Sequence, residues 1–404
     1  MSNTLKLGNG QWATGKDTVL AYNDLNSNYK PLAFSFSRDS SGTVVNKDGL
    51  IETVGSGEPR IDFKDNTKGA LLLEPQRVNI FDYSSDLSAW SKLNSTVTES
   101  SVLSLDGINN SYAYERTSGS TSYIYRTVSL SNTTDYTLSF FVKSGTSTNV
   151  RTDIWDTAQS NQCSIQINLE TKAVSNFIGN SYKIEDYTNG WMRISVTFTS
   201  ESNFGTTFNR YFNTDSVGSE LYIWGAQVEQ GSYATSYIPT SGQANGVTRV
   251  KDLCVNTVPE NIVNEDEMTL YCEFEYLGGG DTIPFSVHNG GGSVIWLAIN
   301  NNSTIYGANF YNSVFNGSST STTVLLPNTK YKVAYRTKSG NSALYIDGIL
   351  EASSNDAISN PNTLNKIELG SFWNGTNQNP NLKIIDAKCY NSGLSNSELA
   401  ALTQ

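Results

Sequence analysis

Side chains that do chemistry are scarce in this sequence. Histidine occurs once in 404 residues, as His288 in "FSVHNGGGS". Any Ser-His-Asp or Cys-His machinery would have to be built on that residue, and no G-x-S-x-G elbow accompanies it. A single histidine in a glycine-rich stretch reads as a solvated turn residue. The four cysteines, Cys163, Cys254, Cys272 and Cys389, lie far apart and form no Cys-x-x-Cys pair. That spacing argues against a zinc ribbon or a redox site. Cys272 and Cys389 fall on apolar strand phases and read as small buried thiols. Charged residues make up only 16% of the chain, and the net charge is −11. No run of Lys or Arg breaks the acidic balance, so nucleic acid is not an expected partner. No apolar stretch approaches the length of a spanning helix, so no membrane insertion is expected. "MSNTLKLGNGQW" lacks the apolar core of a secretion signal, so the chain is expected to fold in a cytoplasm.

Helix signals are also few. Only "SNSELAALTQ" offers one, where Ser395 and Glu398 stand in capping-box spacing. What remains is Gly, Ser, Thr and Asn together with 22 Tyr and 16 Phe, the bias of β-rich proteins with polar turns. Strand patterns recur. Tyr136, Leu138, Phe140 and Val142 alternate with polar residues, as do Met192, Ile194, Val196 and Phe198, and Tyr331, Val333 and Tyr335. Period-two patterning with one apolar face predicts antiparallel strands covering a core on one side. Asp106-Gly107, Asn189-Gly190, Asn316-Gly317, Asp347-Gly348 and Asn374-Gly375 are turn signals between them.

The length predicts more than one domain. The expected architecture is all-β: two antiparallel β-sandwich (jelly-roll) domains in tandem after a glycine-punctuated N-terminal segment. The boundaries read as 1–80 for that segment, 81–242 for the first sandwich, 243–261 for a linker and 262–404 for the second sandwich. "ELYIWGAQVEQ" reads as the closing core strand of the first sandwich, with Leu221 and Ile223 on one face and Tyr222, Trp224, Ala226 and Val228 on the other. "GSYATSYIPTSG" after it reads as an extended arm anchored by Tyr233 and Tyr237 and stopped by Pro239.

Three stretches carry a resemblance. "GLIETVGSGEPRIDF", "GALLLEPQRVNIFDYSSDLSAW" and "WGAQVEQGSYATSYIPTSG" followed by "VTRVKD" occur in that order. The ordered set resembles structural proteins of tailed bacteriophages: tail fibres, head fibres and other virion appendages, crAss-like phages of gut bacteria among them. "KYKVAYRTKSGNSALYIDGILEAS" and "LKIIDAKCYNSGLSNSELAAL" resemble the concanavalin-like, laminin-G-like lectin fold. In that fold the first and last strands pair, which would bring Cys272 and Cys389 together. The middle segment is similar in pattern to carbohydrate-binding-module jelly rolls. The resemblance implies a non-enzymatic appendage on the virion surface, assembled in the bacterial host's cytoplasm. It would attach to capsid or tail proteins through residues 1–80. Homo-oligomerisation, as a trimer, and host or mucosal glycans as ligands are implied with it.

Sugar binding needs a flat aromatic face ringed by amides and backbone donors. Tyr306, Tyr311, Trp373 and Asn374 in the second sandwich and Trp155 in the first are the glycan-binding candidates. Core or edge packing is an equal reading for each ring. Trp191, Trp224 and Trp296 lie on apolar phases and read as core. Glu273 and Glu275, two apart on one strand face, are the paired carboxylates a glycosidase would need. Their phase opposes Cys272, Phe274 and Tyr276, so a solvated outer face is the stronger reading. The alternatives in function are therefore a virion-associated glycan depolymerase and a decoration protein without ligand. No cofactor is expected. Dense Asp-x-Asp runs are missing, and a calcium site stays open and unassigned.

Overall fold

The computed structural model describes residues 4–25, 28–108, 111–119, 121–156, 160–201, 205–257, 262–264, 267–311, 314–357, 364–371 and 380–404. The architecture is all-β, with strands throughout and one short α-helix, Asn396–Thr403. The chain forms two compact units. Unit one is Met1–Lys47, Thr53–Gln76 and Val250–Gln404; unit two is Asp48–Glu52 and Arg77–Arg249.

This partition differs from the expected one. The N-terminal residues are strands of the same sandwich as the C-terminal residues. Thr4–Gly8 pairs antiparallel with Leu382–Tyr390, setting Leu5 beside Cys389. Asn28–Ser37 pairs with Leu253–Thr257. The supposed linker 243–261 holds two strands: Val247–Arg249 pairs with Arg77–Asn79, and Leu253–Thr257 pairs with Lys366–Leu369. Sequence patterning missed this because the N-terminal strands, besides pairing with one another, join Leu253–Thr257 and Leu382–Tyr390 hundreds of residues away.

Unit one is a continuous antiparallel series enclosing one core. From one end it runs Ile349–Ser354, Ser342–Ile346, Thr329–Lys338, Glu267–Tyr276, Leu382–Tyr390, Thr4–Gly8, Thr18–Leu25 and Asn28–Ser37. It continues through Leu253–Thr257, Lys366–Leu369, Thr282–His288, Val294–Ile299, Thr304–Tyr311 and Val314–Val324. The N-terminal hairpin is thus the bridge between the two halves. Leu5, Val19, Phe34 and Phe36 share one core with Leu270, Phe274, Phe285, Leu297, Val333 and Ile384. The expected pairing of Glu267–Tyr276 with Leu382–Tyr390 is present, and it places Cys272 and Cys389 on adjacent strands, opposite Ala387 and Leu270. All four cysteines are free and buried. Asp347-Gly348 closes a two-residue hairpin between Ile346 and Ile349, both at positive φ, 47° and 83°. Asn316-Gly317, expected as a turn, instead lies inside the Val314–Val324 strand. The capping box at Ser395 and Glu398 is formed.

One buried charge cluster ties this bridge down. Asp252 Oδ1 accepts from Arg38 Nη1 at 3.1 Å, and its Oδ2 accepts from Arg60 Nη2 at 2.5 Å and from the Glu74 N–H at 2.9 Å. Arg60 Nη1 donates to Glu74 Oε2 at 2.7 Å. Arg38 also donates to the Ser40 and Gly55 carbonyls, and Arg60 to the Thr43 carbonyl. Arg38, Arg60 and Asp252 have no exposed side-chain surface. Burial alone would lower the Arg60 pKa; Asp252 and Glu74 outweigh it and hold the guanidinium charged.

Unit two is a sandwich of two six-stranded sheets, as expected for residues 81–242. One runs Ser91–Leu93, Tyr123–Leu130, Gly205–Asn213, Asn149–Trp155, Asn161–Asn168, Val174–Ile178. The other runs Ser95–Glu99, Tyr112–Arg116, Glu220–Gln230, Asp135–Ser144, Met192–Thr199, Ser181–Asp186. Tyr136, Leu138, Phe140 and Val142 meet Ile194, Val196 and Phe198 in its core. The Glu220–Gln230 strand corrects the expected alternation. Leu221, Ile223, Ala226 and Val228 all face the core, because the register shifts opposite Ser139 and Phe141. Gly225 makes that bulge at φ +63°, where a Cβ would meet Phe141 at 2.7 Å. Trp224 turns to the other side, against Phe141 (5.3 Å) and Tyr237 (4.7 Å). The arm lies down as expected: Tyr237 is buried and its hydroxyl hydrogen-bonds Ser84 Oγ at 2.7 Å.

Two outcomes follow from this packing. Asp252→Ala removes the anion shared by two buried guanidiniums and should cost about 3–5 kcal/mol of stability. Guanidinium denaturation of the full chain checks it, and a loss under about 1 kcal/mol would contradict the cluster's role. The thiols should be inert to an aromatic disulfide reagent at pH 8 until the chain is unfolded, since burial pushes Cys389 up to about 12 and raises the others. Rapid reaction in the native state would contradict it.

Candidate functional site

The candidate rings meet different fates. Tyr306 belongs to a satellite apolar cluster with Ile283, Val294, Trp296 and Ala308. Its ring sits edge-on to Trp296 at 6.4 Å, and burial raises its pKa. The ring is half-buried against that cluster. Trp296 is buried in the same cluster, on the face opposite the main core. Tyr311 ends its strand 45% exposed. Trp373 and Asn374 lie outside the described residues. His288 corrects its expected solvation: it ends a buried strand, fully covered, with Nε2 3.0 Å from Glu368 Oε1 and Nδ1 accepting from the Gly290 N–H at 3.0 Å. Glu368 in turn accepts from Ser371 Oγ.

Trp155 is different, because a face is built around it. In its sheet, Val150, Ile154, Ile165, Ile167, Ile124 and Tyr211 point to the core. The alternate positions therefore point outward. Register places Tyr125 opposite Arg210, Arg210 opposite Asp153, and Asp153 opposite Ser164. The next row sets Phe212 opposite Arg151 and Arg151 opposite Gln166. Trp155 pairs with Asn161 past a bulge after Ile154.

Arg210 is the centre of this face. Its guanidinium carbon lies 4.7 Å from the Trp155 ring centroid, 5.3 Å from Tyr123 and 5.2 Å from Phe212. Arg151 lies 5.2 Å from Phe212 on the other flank. Tyr123 contacts Phe212 at 5.3 Å and Tyr125 at 5.8 Å. Cation–π contacts of this kind contribute roughly 0.5–2 kcal/mol each and hold planar groups flat. Asp153 clamps both cations from below: Arg210 Nε at 2.8 Å and Nη2 at 3.2 Å, and Arg151 Nη2 at 3.0 Å. Burial raises the Asp153 pKa, and the two guanidiniums oppose that shift. Beneath the sheet, Tyr211 packs on Phe140 (4.7 Å) and Trp90 (5.4 Å). The upper surfaces of Tyr123, Tyr125, Phe212, Arg151, Arg210 and Trp155 stay partly exposed.

The arrangement can dock a flat apolar face over rings and hydrogen-bond polar groups at its rim. Sequence reading named only Trp155. The signal for the rest was present: Tyr123, Tyr125, Arg151, Arg210 and Phe212 occupy the strand phase opposite Ile124, Ile154 and Tyr211, where polar residues are the norm.

The paired carboxylates resolve as an outer face. Glu275 lies 3.8 Å from Lys383, which also bonds Asp62 at 2.9 Å. Glu273 borders an open polar cavity of about 510 Å³ with Asn9, Asp65, Lys68 and Lys330. Among the described residues, no cluster of three His, Cys, Asp or Glu is arranged to hold a metal ion.

No family model matches this chain. No curated protein matches it either. Solved structures similar to it are β-sandwich proteins. The N-terminal CBM22-1-CBM22-2 tandem domain from Paenibacillus barcinonensis Xyn10C is 10% identical, with 78% of this chain and 96% of that one covered at a TM-score of 0.26. A putative carbohydrate binding protein from Bacteroides ovatus is 12% identical, covering 70% of this chain and 80% of that one at 0.27. The receptor binding domain of botulinum neurotoxin mosaic serotype C/D is 19% identical, covering 37% of this chain and only 39% of its own length at 0.30. At these identities and scores the likeness carries no argument, and the reading of a ligand rests on this chain's own residues.

The strand carrying Tyr123 is tethered by Asp82, which accepts from Arg126 Nε at 2.7 Å and also from its Nη2. The Arg126 hydrogen bond, set against burial, holds Asp82 below the usual carboxylate range. A carboxylate depressed in the folded state stabilises it above the unfolded pKa of about 3.9 and loses that contribution as pH falls through the folded value. Asp82→Asn should therefore lower stability at neutral pH and flatten the loss of stability below about pH 4. Denaturation measured across pH checks it; an unchanged acid limb would contradict the tether.

Proposed function

We propose that this is a non-enzymatic glycan-binding protein displayed on the surface of a tailed-bacteriophage particle, as a head or tail fibre or related appendage. The single observation that carries the glycan part is the partly exposed ring-and-guanidinium face of Tyr123, Phe212, Arg210 and Trp155. A pyranose presents its C–H groups to such rings and its hydroxyls to the side chains between them. The virion part rests on the ordered words shared with phage structural proteins. On that reading the host bacterium's cytoplasm is where it folds, and particle proteins are met through residues 1–80, most of which belong to unit one. Several copies, a homotrimer on this reading, turn weak single sites into useful avidity for host or mucosal glycans.

A hydrolase reading has less support. A glycosidase needs two carboxylates flanking a cleft, whereas Glu275 is engaged by Lys383 on an outer strand face. No cofactor enters the reading, and calcium stays unassigned.

Trp155→Ala in the full chain should weaken glycan binding about tenfold, the loss of roughly 1.4 kcal/mol of ring contact. Tyr306→Ala and Tyr311→Ala should leave binding in place. Glycan-array screening followed by calorimetry on the strongest hit checks this. Loss at Tyr311 with none at Trp155 would move the site to unit one and overturn this reading.

A further inference from the structure

Charge on this face runs against the charge of the chain. The protein carries −11 overall. Among described outward positions of the Tyr123–Leu130, Gly205–Asn213, Asn149–Trp155 and Asn161–Asn168 strands, only Arg210, Arg151 and Asp153 are charged. Asp153 is fully buried beneath both cations, whose side chains retain 21% and 30% of their surface. One net positive charge is therefore presented to solvent by the guanidiniums and none of the negative charge is.

The donors are unspent as well. Arg210 gives Nε and Nη2 to Asp153, and Arg151 gives Nη2 alone. Nη1 of each has no hydrogen-bond partner among the described residues. Arg151 Nε and Ser164 Oγ are buried without partners, and Ser164, opposite Asp153 on this face, is 1% exposed. The Nη1 groups sit on side chains that keep solvent-facing surface, so they are donors that an acceptor-rich ligand can reach. Two guanidiniums held flat by rings are pre-organised for a carboxylate, at low entropic cost.

We infer that the face selects acidic saccharides, taking a sugar ring over Trp155 and Tyr123 and its carboxylate on Arg151 and Arg210. This rests on the glycan reading above and adds the substrate class: uronic-acid polymers rather than neutral ones.

The test uses the full chain against polygalacturonate, alginate and hyaluronan, each beside its carboxyl-reduced, neutral counterpart, by affinity electrophoresis and calorimetry. At least one acidic polymer should bind about tenfold or more tighter than its reduced form, the worth of one charge-assisted contact. That preference should shrink as salt rises. Arg151→Gln, which leaves the two-point Arg210–Asp153 pair in place, should bring the ratio towards one, and Arg151→Lys should keep part of it. An unchanged thermal midpoint shows that both variants are folded. Equal binding of acidic and reduced forms, both lost in Trp155→Ala, would overturn the acidic preference and leave the glycan reading standing. No binding to any polymer by the folded protein would overturn both.

Discussion

Two arginines, an aspartate and a glutamate buried together hold unit one in one piece. Arg38 and Asp252 are 214 residues apart in sequence, and Arg60 and Asp252 are 192 apart. Between them the chain departs to build a second sandwich and returns. Apolar burial fixes which face of a returning strand meets the core but constrains a two-residue slip less, because the alternation is kept. A desolvated charge cluster constrains that slip, since a misplaced strand leaves an unpaired charge in a low-dielectric interior. Here each ion is hydrogen-bonded to an opposite charge or a backbone N–H, and the Ser40, Gly55 and Thr43 carbonyls take three further guanidinium N–H groups. Register is thereby fixed at the point where Asn28–Ser37 bridges to Leu253–Thr257.

The same cluster gathers four stretches that lie far apart in the chain. "FSFSRDSS", "GEPRIDF", "LLLEP" and "VTRVKD" supply Arg38, Arg60, Glu74 and Asp252 in turn. Their order along the chain is the order in which it visits one buried site. Between Glu74 and Asp252 the chain builds a sandwich, one sheet of which carries rings and guanidiniums held from below by Asp153.

Much of the fold was legible in the sequence. One-sided alternation located Asp135–Ser144, Met192–Thr199 and Thr329–Lys338, and Asp347-Gly348 and Ser395 announced a hairpin and a helix start. Long-range facts were not legible. Nothing local in residues 1–80 states that Thr4–Gly8 lies beside Leu382–Tyr390, and period-two reading of residues 220–230 could not anticipate a bulge at Gly225. His288 looked solvated because its glycine-rich flank lies on one side only; on the other it is a buried strand. The site was half legible: Trp155 stood out, but its partners Arg210 and Phe212 enter from a strand more than fifty residues on. Their outward phase was readable, their adjacency was not.

The central claim is that a saccharide docks on the outer face of the Gly205–Asn213 and Asn149–Trp155 strands. A crystal structure of the full chain with a bound oligosaccharide tests it most directly. The account predicts electron density for a sugar ring stacked on Trp155, within hydrogen-bond reach of Arg151 or Arg210. Density seated instead beside Tyr306 and Tyr311, with the Trp155 face bare, would contradict it.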